Sequence, residues 1–296
     1  MVGFLVVAIL SAAPVRPASA QGGTSRQTYT NGAGSRDYLL FFPGRTGPVP
    51  LIVYVHGCGA PPSVPGLNEM GEARGFAVAY PIQSRAANAS GCWNWYAPEH
   101  QSRDTGEPSI IAGITRDVMR TRSIDPARVF ITGHSAGSGM TANMSAAYPD
   151  LYAAAGLIAG CGQLTCRDVS GRSAFQRMGP RARAIPAYML WGTADTTNRY
   201  PIGRMQLLQW LGMNDFADDD RLNASVPRLP NSVVAHPARD GEPSYVVEHY
   251  KDRRRCGEVE FASVIGMGHV PDAAWQSAFP SMVDFLLAHP MRASCS

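Results

Sequence analysis

Apolar positions along the chain fall into short unbroken runs: LIVYVH at 51–56, FAVAYP at 76–81, VFIT just before GHSAG, LYAAAGLIAG at 151–160 and AYMLWG at 187–192. Runs of this length, rich in β-branched residues and bounded by turn formers, mark strands buried on both faces, as in a parallel sheet. Between them lie segments whose apolar spacing is near 3.6: GLNEMGEARG closed by Gly75, IIAGITRDVMRTR, AGSGMTANMSAAYP stopped by Pro149, MQLLQWLG, and AAWQSAFPSMVDFLLAH interrupted by Pro280. YVVEHY and FASVIG add strands near the C-terminus, and Asn31-Gly32 between RQTYT and DYLLFF predicts an N-terminal hairpin. Strands alternating with helices predict an α/β fold with a mainly parallel central sheet flanked by helices. There is no internal repeat and no long linker, so residues 21–296 are expected to form one domain, with the polar stretch 212–243 as a cap or insertion.

Residues 1–20 stand apart. GFLVVAIL is a short apolar run followed by Ala18-Ser19-Ala20, small residues that suit signal peptidase, so cleavage after Ala20 and a secreted or periplasmic location are expected. The run is too short to span a bilayer, and no membrane anchor is expected. The even number of cysteines (Cys58, Cys92, Cys161, Cys166, Cys256, Cys295) agrees with an oxidising compartment, and six allow fifteen pairings. No Cys-x-x-Cys and no His-Cys cluster occurs, so no structural zinc is expected; ADDDR at 217–221 lacks the spaced ligands of a calcium loop and reads as solvated surface, as does DRRRC at 252–256. A formal net charge of +3 is too small to imply nucleic acid as a partner, but leaves room for an anionic substrate.

Candidate chemistry centres on GHSAGSG at 133–139. With 30 glycines in 296 residues, Gly-x-Ser-x-Gly arises by chance on the order of 0.2 times, so context must decide. The motif follows a buried strand and opens a helix, which is the strand-turn-helix setting of a nucleophile elbow, with Ser135 as nucleophile; the plainer alternative is a helix-capping serine. In that architecture the chain order is serine, acid, histidine. His269 in GMGHVPD stands directly after FASVIG and before the last helix, whereas His56, His134 and His289 are not placed to act as the base. Asp195 in WGTADTTN follows AYMLWG and is the candidate acid, against a turn-capping role; Asp168 and Asp215 are weaker substitutes. An oxyanion needs two N–H donors, and the candidates are Ala136, after the nucleophile, and Cys58, in the HGCGA loop after the first buried strand. Trp93, Trp95 and Tyr96 in CWNWY offer flat amphipathic faces for substrate.

HGCGA, CWNWY, DPARVFITGHSAGSGMTANMSAAYPDLYAAAG, WGTADTTN and GMGH, in this order, resemble the secreted esterase family that contains poly(3-hydroxybutyrate) depolymerases and related feruloyl esterases, from about Tyr38 to the final helix. The resemblance implies an α/β-hydrolase with Ser135, Asp195 and His269 as the triad and Cys58 and Ala136 as oxyanion donors. It further implies the disulfides Cys58–Cys92, Cys161–Cys166 and Cys256–Cys295. The chain departs from the family at Ala60-Pro61, where glutamine is common, at His134, where many members have leucine, and at Val270-Pro271-Asp272, where Trp-Pro is frequent. An exported, cofactor-free serine esterase acting on a hydroxyalkanoate polyester or its oligomers is expected. Feruloyl or acetyl esters of plant polysaccharide are the alternative. Arg199, Arg204 and Arg253 to Arg255 motivate a third option, the anionic polymer poly(aspartic acid), and a polymer-binding protein without turnover is the fourth.

Overall fold

The computed structural model describes residues 22–292 apart from 163–166, 240 and 271–274. The expected leader, Cys166 and Cys295 therefore lie outside the described residues. One ten-stranded sheet organises the chain. Its strands are β1 (Gly23–Asn31), β2 (Gly34–Phe42), β3 (Val49–Val55), β4 (Ala77–Pro81), β5 (Ile124–His134), β6 (Ala155–Ile158), β7 (Ala187–Gly192), β8 (Ser232–His236), β9 (Tyr245–Tyr250) and β10 (Val259–Val264). The spatial order is β1-β2-β4-β3-β5-β6-β7-β10-β9-β8. The six strands from β4 to β10 in that order run parallel, and an antiparallel hairpin extends each edge. The unbroken apolar runs are these parallel strands: every residue of β3, β4, β6 and β7 is buried.

The flanking helices are α1 (Leu67–Arg74), α2 (Gly106–Thr121), α3 (Ala136–Ala147), α4 (Arg172–Met178), α5 (Tyr200–Asp219) and α6 (Trp275–Ala288). Helices α2 to α5 pack successively on one face, while α1 and α6 share the other and are joined by the Arg74–Asp284 ion pair. Helix α6 continues through Pro280, at the loss of one internal hydrogen bond. Helix α3 is buried along its whole length, which explains its run of Ala, Gly and Ser: small residues let it lie against β5 and β6.

The stretch expected as a cap or insertion divides between a helix, a loop and a strand. Residues 212–219 are the last two turns of α5, because Met213 and Phe216 are buried there and Asn214 bonds the backbone of Ile185 and Gly257. Beyond a loop, Ser232–His236 forms the outermost strand, so this region widens the sheet. Asp215 anchors the intervening loop, accepting from the N–H groups of Asn223, Ala224 and Val226. Asp168 likewise accepts from Ser170 and Ser173 N–H. Neither substitute acid reaches a histidine among the described residues. No helix of the described residues is long and apolar enough to cross a membrane.

Candidate active site

Ser135 stands between β5 and α3 with φ 55° and ψ −120°, a conformation that L-residues rarely adopt. Its N–H donates to Ile158 O at 2.9 Å on the neighbouring strand, and its carbonyl accepts from Gly139 N–H at 3.0 Å, so the turn is held at both ends. Glycine is required beside it: a Cβ on Gly137 would lie 1.9 Å from Val55 O, and one on Gly133 2.6 Å from the same oxygen. The elbow therefore lifts Ser135 above the C-terminal edge of the parallel strands, at the start of a helix whose first N–H groups have no partner within the helix.

Asp195 and His269 come from the loops after β7 and β10. Those strands pair in parallel, and the loops stay together because Ala194 N–H donates to Met267 O at 3.1 Å and Gly266 N–H to Thr193 Oγ1 at 2.9 Å. His269 Nδ1 lies 2.8 Å from Asp195 Oδ2, and His269 Nε2 lies 2.9 Å from Ser135 Oγ. A carboxylate only accepts, so Nδ1 carries the proton and the bare Nε2 accepts from the serine hydroxyl. The side chain of Asp195 is fully buried, and its other oxygen accepts from Thr197 and Asn198 N–H, each at 2.8 Å. Turn capping and pairing with histidine, the two rival roles of Asp195, thus use different oxygens of one carboxylate, and the backbone bonds compensate its buried charge.

The HGCGA loop lies opposite. His56 Nδ1 donates to Gly57 O at 2.8 Å, and Nε2 accepts from Gln83 N–H at 3.0 Å. Burial pushes His56 below the ordinary imidazole range, which favours this neutral tautomer. In a planar trans peptide the Cys58 N–H points opposite to the Gly57 carbonyl, and hence away from the His56 ring. Cys58 is disulfide-bonded to Cys92, and Gly59 N–H donates to Gly91 O at 3.3 Å, so two bonds tie this loop to the segment bearing Trp93. No described cysteine is free; the partners proposed for Cys161 and Cys256 lie outside the described residues. We expect the Cys58→Ser/Cys92→Ser protein to lose about 2–5 kcal/mol of stability in urea denaturation. Activity should fall with it even though the Cys58 N–H is retained, because its loop is no longer pinned.

A cavity of about 610 Å³ opens over Ser135 and His269. Its apolar wall comes from Tyr54, Ala60, Pro61, Val64, Pro65 and Val270. The aromatic segment sits elsewhere. Trp93 is fully buried, with its ring 5.7 Å from that of His56, and packs beneath the HGCGA loop; its side chain is not exposed to the cavity. Trp95 packs on Gly139, its carbonyl accepting from Asn143 at 2.8 Å, and Tyr96 is exposed; neither lines the cavity. The signal that points to the true wall is the proline-rich APPSVP directly after HGCG. Among the described residues no cluster of His, Cys, Asp and Glu has a metal-holding arrangement.

Sheet order, elbow and the Ser135–His269–Asp195 hydrogen-bonded chain define the α/β-hydrolase class. A family model described as esterase PHB depolymerase matches residues 37–241, and the chain belongs to that family. It is 33% identical over 229 residues to poly(3-hydroxyalkanoate) depolymerase C of Paucimonas lemoignei, covering 74% of this chain and 54% of that protein. It is 30% identical over 248 residues to an acetylxylan esterase of Coprinopsis cinerea, covering 74% of this chain and 61% of the relative. The chain thus spans between half and two thirds of the length of these relatives. Acetyl xylan esterase from Aspergillus awamori shares the fold, with a TM-score of 0.68 at 21% identity over 88% of this chain and 99% of that one.

Proposed function

We propose that this protein is an exported serine esterase that hydrolyses a neutral hydroxyalkanoate polyester or its oligomers through an acyl-enzyme. The observation that carries the proposal is the continuous chain from Ser135 Oγ through His269 to the buried Asp195. His269 Nε2 takes the serine proton as Oγ attacks the ester carbonyl, while Asp195 holds the tautomer and stabilises the imidazolium. The N–H groups of Cys58 and Ala136 receive the oxyanion. The proton then passes from His269 to the leaving alcohol, and water, activated by the same histidine, releases the acid.

The apolar wall and the absence of any arginine or lysine among the described lining residues favour a neutral acyl chain over polyaspartate. Two of the arginines that motivated the anionic option are already paired, Arg204 with Glu248 and Arg255 with Glu258. The 33% identical depolymerase supports the polyester. The 30% identical acetylxylan esterase supports an acetylated polysaccharide as the second reading. The Cys58–Cys92 disulfide supports export, and the small residues Ala18-Ser19-Ala20 support cleavage after Ala20. Mass-spectrometric product analysis on hydroxybutyrate oligomers, acetylated xylo-oligosaccharides, methyl ferulate and polyaspartate, side by side, tests the substrate. Preferential release of hydroxybutyrate monomer or dimer is expected; faster deacetylation of the xylo-oligosaccharides would transfer the assignment to the second reading. A fluorophosphonate probe that left Ser135 unlabelled would favour a binding protein without turnover.

A further inference from the structure

His134 is the last residue of β5 and directly precedes Ser135, yet acyl transfer as derived above gives it no task. Its side chain is nearly buried and forms part of the cavity floor. Nε2 lies 2.8 Å from the backbone carbonyl of His269. A carbonyl oxygen only accepts, so Nε2 carries a proton and donates it. The two imidazole rings stand 5.1 Å apart, centroid to centroid. On the other side the ring is backed by Gly57, where a Cβ would come within 2.9 Å of Nδ1. His134 is therefore wedged between the loop carrying Cys58 and the loop carrying His269, and is bonded to the second.

Among the described residues, the other backbone anchors of the His269 loop fall on one side of it. Its backbone bonds to the β7 loop, from Gly266 N–H and Met267 O, lie before His269. The residue after it, Val270, is 72% exposed. The backbone of His269 itself is gripped by the bond from His134. Burial pushes His134 down to about 4, so near neutral pH it donates without setting a second positive charge beside the imidazolium that forms on His269.

We infer that His134 is a positioning residue, an N–H clamp on the His269 carbonyl that holds the histidine loop in register with the nucleophile elbow. The inference rests on the reading of Ser135, His269 and Asp195 as the triad. Leucine at this position fills the space without a donor, whereas glutamine offers a side-chain N–H to the same carbonyl. Steady-state kinetics on p-nitrophenyl acetate, the rate of fluorophosphonate labelling of Ser135 and a thermal melt are measured for wild type, His134→Leu and His134→Gln.

We expect His134→Leu to lower kcat by about 10- to 100-fold, the scale of a small misplacement of a reacting group. KM should stay within about twofold, labelling should slow in parallel, and His134→Gln should recover most of kcat. If the leucine variant does not melt cooperatively, His134→Asn, whose amide is one methylene shorter than that of glutamine, supplies the comparison with a donor out of reach. A folded His134→Leu protein with wild-type kcat and labelling rate overturns the clamp. Equal losses in the leucine and glutamine variants overturn the hydrogen bond as its cause. Wild-type protein that does not label at Ser135 overturns the triad reading and the clamp together, whereas normal wild-type labelling with an unchanged leucine variant overturns the clamp alone.

Discussion

Replacing Ser135 with alanine is expected to lower kcat/KM for a soluble ester by about 10⁶-fold, and replacing Asp195 with asparagine by about 10⁴-fold, with both proteins folded. The asparagine loss has a specific cause in this site. One oxygen of Asp195 accepts from Thr197 and Asn198 N–H, both at 2.8 Å. An asparagine must keep its oxygen there, because turning its NH₂ toward two N–H donors would leave three donors facing one another. The NH₂ is thereby directed at His269 Nδ1, which must become the acceptor. The ring proton then moves to Nε2, which lies 2.9 Å from Ser135 Oγ and can no longer take the serine proton. About 10⁴-fold corresponds to roughly 5.5 kcal/mol of transition-state stabilisation. Steady-state kinetics with circular dichroism as a fold check reads the effect; an Asp195→Asn protein within tenfold of wild type would remove Asp195 from the mechanism.

The parts of this molecule legible in the sequence are those whose environment is uniform along an element. LIVYV, FAVAY and AYMLWG are buried on both sides, so their composition alone marks them as central strands. The elbow is legible for a similar reason: glycines are forced at 133 and 137 by backbone contacts under 3 Å, so the chemistry of the turn is written into residue type. Positions set by distant contacts are not legible. SVVAH at 232–236 is an edge strand exposed along most of its length, and it lacks the one-sided pattern that marks strands. Trp93 and Tyr96 belong to one loop, yet one is fully buried and the other 55% exposed, because the covering groups, His56 and its neighbours, are far away in sequence. The bond from His134 to the His269 carbonyl spans 135 positions and follows no motif. Spacing does not make the Cys58–Cys92 pairing legible, since six cysteines leave the connectivity open, and the family resemblance alone implies it.

Glu107→Ala is expected to cost about 3–5 kcal/mol of stability in urea denaturation, because it leaves a buried cation without its counter-charge. Glu107 is 1% exposed in the first turn of α2, and Arg36 Nη2 approaches its carboxylate at 3.4 Å from a site only 7% exposed. The same carboxylate accepts from Gln83 Nε2 at 2.5 Å, from Asn94 N–H at 2.7 Å and from Asn94 Nδ2 at 2.8 Å. Gln83 in turn donates its backbone N–H to His56 and its side-chain N–H to Cys92 O at 2.8 Å. This network therefore joins α2 to the segment disulfide-bonded to Cys58 and to the histidine that orients the Gly57–Cys58 peptide. Its loss should reduce esterase activity as well as stability. The double variant Arg36→Met/Glu107→Leu separates the two effects: with no charge left to bury, it should regain at least half of the stability lost in Glu107→Ala. Its activity should stay low, because Gln83 and Asn94 still lack the carboxylate of Glu107 that holds them together. Strictly additive losses in the cycle of Arg36→Met, Glu107→Leu and the double variant would mean that Arg36 and Glu107 are not coupled, and that the destabilisation comes from the unsatisfied amides alone.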